Sequence, residues 1–327
     1  MDDPYRTDLR DILRLPEVFY IGLNVESLMS DLAIEAPEPF QPILETFKSN
    51  IRALAGAAQL PFLLTFYATY RELLNRHLIA AHIRAIDPED VIKKEKDPEY
   101  EKSDIYIKKM QERNAQFAAA ASEEFRLKYI NDEEQQRISG LAFETLVPFL
   151  DHPIVSLASK ELMRESIVLI WIALEALATD LFVSTLNYAP QFTVLILRDE
   201  QCKKRFQSKD LARIIESHGF DLSNRMGEVL KSLGNLDDPE TIKAVFRIIC
   251  PNNESLRTVL SESDLWRLYQ RRNLLVHRAG IVDKHFLEKT GENFEIGTKL
   301  PVVSDDVNRY LKLVVKIASE LARGVTL

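Results

Sequence analysis

The chain has 327 residues, 46% of them hydrophobic, with 42 Lys and Arg against 50 Asp and Glu for a formal charge of −8. That length carries enough apolar material for two cores at about 150 residues per domain. The negative charge excludes indiscriminate binding to nucleic acid or an anionic membrane, because their phosphates repel the chain as a whole; any RNA contact is confined to a local patch.

Ten glycines and runs rich in Ala, Leu, Glu, Lys and Arg speak for an all-α fold. The opening MDDPYRTDLR lacks a basic region followed by an apolar stretch, so a secretory leader is not expected and a cytoplasmic location is. Residues 1–50 hold five prolines, Pro4, Pro16, Pro37, Pro39 and Pro42, and read as short helices and extended turns that wrap a neighbour rather than fold alone. A helical pattern runs from Ile51 to about His82. Within it, Ala53 to Tyr70 carries no charge over 18 residues, close to the length of a membrane span, but Gln59 and Pro61 favour a buried helix kinked or restarted near the proline. The densely charged stretch that follows, up to about Ile130, reads as a solvated helix or a partly disordered excursion, with a partner-binding helix as the alternative.

The second block begins near Leu146, which gives two parts: a helical N-terminal region, 1–145, and a helical bundle, 146–327. Its first helix is apolar on most sides from Ile167 to Leu186, as befits the centre of a bundle, and Glu175 and Asp180 are the only acids between Ile167 and Tyr188. Helices are expected at about 208–218, 223–233, 239–249 and 254–278, the last closed by Gly280 in a left-handed conformation. "GENFEIGTKLPVV" reads as an irregular or hairpin insert, and Ser304, with Asp305 and Asp306, as the capped start of a final helix to about Arg323.

The segment "RRNLLVH", Arg271 to His277, breaks the amphipathic pattern. One stripe at spacings of three and four runs Leu265, Leu268, Arg272, Leu275, Ala279, and its middle member is a permanent cation, costly to bury unless an anion meets it. From Leu265 to Val282 there are four arginines, Arg267, Arg271, Arg272 and Arg278, and no acid. A guanidinium holds phosphate through two parallel hydrogen bonds, and a histidine moves protons near neutral pH. RNA cleavage without a metal needs those abilities: a base for the ribose 2′-hydroxyl, an acid for the leaving 5′-oxygen and a cation for the developing phosphate charge. One histidine does not readily serve both sides of the phosphorus; two copies across a dimer axis can. Cys202 and Cys250 have no short spacing and no nearby histidine cluster, so neither a disulfide framework nor a zinc site is expected, and no cofactor or metal is assigned.

On these residues the chain resembles the HEPN superfamily (higher eukaryotes and prokaryotes nucleotide-binding domain). Arg272-Asn273-Leu274-Leu275-Val276-His277 is similar to its signature of an arginine, often followed by a polar residue, with a histidine four to six positions on; the likeness extends over about 145–327, including the long apolar helix "WIALEALATDLF". The resemblance implies a helical bundle that dimerises and, in many members, metal-independent endoribonuclease activity in toxin–antitoxin or anti-phage systems. Other members only bind or scaffold. Carried over residue by residue, Arg272 and His277 take the signature positions, Asn273 the polar one and Glu175 the place of an acid that orients the arginine; Arg271, beside them in the basic cluster, is assigned a supporting place. The implied partners are RNA, a second copy of the chain and a regulating protein such as an antitoxin, with no membrane.

Each residue has a plainer account. Arg272 can be a buried structural ion pair with Glu175, and His277 a favourable charge at a helix C-terminus. Arg267, Arg271 and Arg278 read as solvated helix residues, and Trp266 and Tyr269 as core or interface aromatics. The remaining histidines, His77, His82, His152, His218 and His285, have no companions that make a metal site.

Overall fold

The computed structural model describes residues 9–30, 32, 36–206 and 211–325. Seventeen α-helices run through them with no named strand, so the fold is all-α. In chain order these begin with α1 (Leu9–Val18), α2 (Val25–Ser30), α3 (Gln41–Ala58), α4 (Leu60–Ala85), α5 (Pro88–Lys96), α6 (Asp104–Lys128) and α7 (Asp132–Leu146). The long α8 (Pro153–Tyr188) is followed by α9 (Gln191–Arg198), α10 (Glu200–Lys203), α11 (Leu211–Ser217), α12 (Met226–Leu233), α13 (Pro239–Ile249) and α14 (Glu254–Val259). The last three are α15 (Ser263–Arg278), α16 (Lys284–Thr290) and α17 (Ser304–Gly324).

The chain divides into two compact units, and the division is not at residue 145: one unit is Met1–Leu15 with Leu60–His152, the other Pro16–Gln59 with Pro153–Leu327. Residues 16–59 therefore belong with the C-terminal unit. The cause is the apolar face of α3, where Leu44, Phe47, Ile51, Leu54 and Ala58 recur at helical spacing and are buried in the same core as α8. The uncharged run from Ala53 to Tyr70 is split at Gln59, and Pro61 stands in the first turn of α4, where a missing N–H costs nothing.

In the first unit α4 packs against both α6 and α7. Phe125, Tyr129 and Ile138 form a small core with Phe66, Tyr70, Leu73 and Leu74. The charged stretch is ordered helix with side-chain caps: Asp87, Ser103 and Asn131 accept N–H groups from the first turns of α5, α6 and α7. Lys109 bridges Asp87 at 3.2 Å and the buried Asp90 at 2.9 Å, which ties α5 to α6.

In the second unit α8 is central, with α3, α12, α15 and α17 packed around it. Met163, Ile167, Ile170, Trp171, Leu174, Leu177, Leu181, Phe182 and Leu186 of α8 are all buried. By length and composition alone α8 is able to cross a bilayer, and 56% of its most apolar window is buried within the protein. The expected helix over 254–278 is broken between Val259 and Ser263, the expected 208–218 helix begins outside the described residues, and the 223–233 helix starts at Met226. Ser304 does not cap α17. Its hydroxyl donates to the Phe19 carbonyl at 2.8 Å and accepts the Ile21 N–H at 3.1 Å, pinning the N-terminal segment, while the Asp306 carboxylate accepts the Val303 N–H at 3.3 Å. The insert before α17 is irregular, closed by Leu300 N–H to the Gly280 carbonyl at 2.8 Å and an isolated bridge between Ile281 and Lys299.

Candidate functional site

Helix α15 carries the signature residues, and its buried stripe is Leu265, Leu268, Arg271, Leu274. The cation that interrupts the stripe is thus Arg271, not Arg272. Arg271 is 4% exposed. Its Nη2 lies 2.7 Å from Glu292 Oε1, its Nε donates to the same oxygen at 2.9 Å, and its Nη1 lies 3.1 Å from Asp306 Oδ2. The rings of Tyr310 and Phe294 are 5.8 and 5.9 Å away. Burial opposes the charge of this guanidinium, but the fields of Tyr310, Glu292 and Asp306 and the hydrogen bond to Glu292 outweigh it and raise its pKa further. Arg271, expected as a supporting or solvated side chain, is a clamp between α15, the segment after α16 and the start of α17.

Three of the four arginines of the acid-free stretch meet carboxylates from outside it or from its edge: Arg267 with Asp264 at 3.1 Å, Arg271 as above, and Arg278 with Asp283 at 3.2 Å. Arg272 differs. It is half-buried, its Nη1 donates to Asn273 Oδ1 at 2.9 Å, and its buried Nε has no acceptor. Among the described residues it forms no ion pair, with Glu175 or any other carboxylate. Glu175 accepts instead from Trp171 Nε1 at 2.9 Å, one helical turn back on α8.

Arg272 and Glu175 nevertheless line the same cleft of about 400 Å³, together with Ile172, Asp180, Lys231 of α12 and Asn235. His277 is not among the residues lining it. It is exposed at the end of α15, with no hydrogen-bond partner among the described residues. At about 100° per residue, five residues separate Arg272 from His277 by about 140° around the helix, so the two side chains diverge. The helix ends with Ala279 and Gly280 both in the left-handed region, at φ 49° and 75°, so the expected glycine cap extends one residue earlier onto an alanine. Tyr269 packs between Trp171 and Trp266, at centroid distances of 5.0 and 5.8 Å, so these aromatics join α15 to α8.

The structure thus brings Arg272 and Glu175 to one cleft, keeps Asn273 on the Arg272 guanidinium through its hydrogen bond, and leaves His277 outside the cleft lining. It adds Lys231, which sequence reading passes over because α12 is 39 or more residues from the signature and carries its lysine as an ordinary surface residue. Among the described residues no group of three or more His, Cys, Asp and Glu side chains is arranged to hold a metal ion. The chain matches no protein-family model, no curated protein and no solved structure.

Proposed function

We propose that the protein is a metal-independent endoribonuclease of HEPN type, acting on RNA as a homodimer in a cytoplasmic setting, with a toxin or anti-phage effector role and a regulating protein partner. One observation carries the reading: Arg272 is an uncommitted cation in a cleft, on a helix whose three other arginines are all paired, a turn before an exposed histidine without a partner. In the proposed reaction His277 takes the proton of the ribose 2′-hydroxyl, the 2′-oxygen bonds to phosphorus, and the bond to the 5′-oxygen breaks. The partner subunit's His277 supplies a proton to that leaving oxygen, Arg272 stabilises the phosphorane-like charge, and Asn273 holds the guanidinium through its 2.9 Å hydrogen bond. The divergence of Arg272 and His277 within one chain favours a site assembled from two copies, and exposed Ile172 in the cleft, with exposed Leu169 on α8 and Val276 on α15, supplies apolar surface on the two helices that carry it.

The same divergence favours one second reading, a non-catalytic HEPN-like nucleotide-binding or scaffold module. Cleavage assays on wild-type protein and His277→Ala separate the two. The wild type is expected to cut RNA in excess EDTA, leave 2′,3′-cyclic phosphate ends and spare a substrate with 2′-deoxyribose at the cut, and the variant to lose about 10²-fold or more of that activity. Cleavage of the deoxy substrate, or equal activity in the variant, removes His277 from this role.

A further inference from the structure

The cleft at Arg272 has a wall built by backbone contact. Gly227 of α12 lies against the α8 backbone so closely that a Cβ there would collide with the Val183 carbonyl oxygen. Asn187 fixes the crossing: its Oδ1 accepts the Gly227 N–H at 2.8 Å and its Nδ2 donates to Glu228 Oε1 at 3.1 Å. Lys231, one turn beyond Gly227, is thereby delivered to the cleft that holds Arg272, Glu175 and Asp180.

Two cations and two carboxylates share this cleft, and among the described residues none of the four is in an ion pair. Lining one cleft and unpaired, the four charged groups are all free to meet a ligand there. Because the cleft is neutral as a set, its field does not concentrate simple anions. The ligand that meets all of it carries an anion at one end and hydrogen-bond donors at the other, and a volume of about 400 Å³ suits a molecule of nucleotide size. One Glu175 oxygen is occupied by the Trp171 indole, whereas both Asp180 oxygens are open. An ionised carboxylate only accepts. Among the four RNA bases, guanine alone presents two adjacent donors, N1–H and the N2 amino group, on its Watson–Crick edge; the amino groups of adenine and cytosine sit beside a ring nitrogen that repels a carboxylate.

We infer that the cleft is a guanine-nucleotide subsite, in which Lys231 and Arg272 hold the phosphate and Asp180 accepts from the guanine edge. The inference rests on the reading of the protein as RNA-acting and names the nucleotide that it selects. Its test needs no cleavage. The 5′-monophosphates of guanosine, adenosine, cytidine and uridine, and inorganic phosphate, are titrated by calorimetry into the full-length wild type and into Asp180→Asn, Lys231→Ala and Lys231→Arg, all at exposed positions where folding is not at stake.

The expected result is GMP bound about tenfold more tightly than the other nucleotides and than inorganic phosphate, the worth of one charge-assisted hydrogen bond. Asp180→Asn should erase that preference while phosphate-dependent affinity remains. Lys231→Ala should weaken all four nucleotides by about tenfold, and Lys231→Arg should restore them. Equal binding of the four nucleotides, a preference that survives Asp180→Asn, affinity unchanged by Lys231→Ala, or no nucleotide binding at millimolar concentration each overturns the subsite. A wild type that cuts RNA without discriminating nucleotides refutes the subsite and leaves the cleavage reading standing; one that selects GMP and never cuts does the reverse.

Discussion

On one side of α15, three segments converge on Arg271, and every charge there is matched: Glu292 and Asp306 flank the guanidinium, Asp306 also accepts the Val303 N–H, and Arg309 takes its other oxygen at 2.7 Å. On the next residue, Arg272 shares a cleft with two carboxylates and pairs with neither. Adjacent residues of one type, about 100° apart on a helix, thus do opposite things. A buried cation surrounded by its anions is committed to the fold, and a half-buried one without them is available to a ligand. The difference marks out a candidate site more sharply than the basic character of the stretch does, since three of its four arginines are already engaged within the chain.

The two arginines should differ most in the stability of their alanine variants, measured by unfolding in denaturant. Arg271→Ala leaves Glu292 and Asp306 without their cation and should cost about 3–5 kcal/mol, the range for one half of a buried pair removed. Arg272→Ala leaves no buried carboxylate behind and should cost under about 1 kcal/mol. Equal losses at the two positions mean that the cleft is held together by Arg272 after all, and the contrast between clamp and cleft fails.

Arg272→Lys tests the geometry of the guanidinium separately from its charge. The charge is kept but the planar fork is lost, so the proposed RNA cleavage should fall by about 10- to 100-fold, or about 1.4–2.7 kcal/mol of transition-state stabilisation, with the unfolding midpoint unchanged. If the lysine protein cuts at the wild-type rate, Arg272 serves only as a point charge or stands outside the site.

Much of the fold was legible because its signals are local. Asp238 before Pro239 marks the start of α13, with the Asp238 carboxylate accepting the Thr241 N–H at 3.0 Å, and Gly280 marks the end of α15. The identity of the buried arginine was not legible. After Leu268 both Arg271, at a spacing of three, and Arg272, at four, continue a helical stripe, and the carboxylates that decide between them lie on the segment after α16 and on α17. The same limit explains the unit boundary and Ser304. An apolar face on α3 announces burial without naming α8, which follows some hundred residues later, and a serine before two aspartates looks like a cap until the carbonyl of Phe19 arrives to accept its proton.

The finest test of the clamp uses Tyr310, which forms one wall of the Arg271 site and whose hydroxyl is buried without a hydrogen-bond partner. Burial raises its pKa above the usual tyrosine value, and although Arg271 and Arg309 pull it down, burial prevails. A group whose folded pKa is raised contributes stability that is fully present below its unfolded value, about 10, and is lost as pH climbs through the higher folded value. Stability should therefore decline in alkali above about pH 10. Tyr310→Phe removes a buried hydroxyl that has no partner, so at neutral pH it should change stability by less than about 1 kcal/mol and in the favourable direction. In alkali its decline should be shallower than that of the wild type, the remainder coming from Tyr20, Cys202 and Cys250, which burial pushes up to about 12. Unfolding midpoints measured from pH 8 to 11 on both proteins check this. Parallel curves mean that Tyr310 ionises as freely in the folded chain as in the unfolded one, and that the wall of the clamp is open to water.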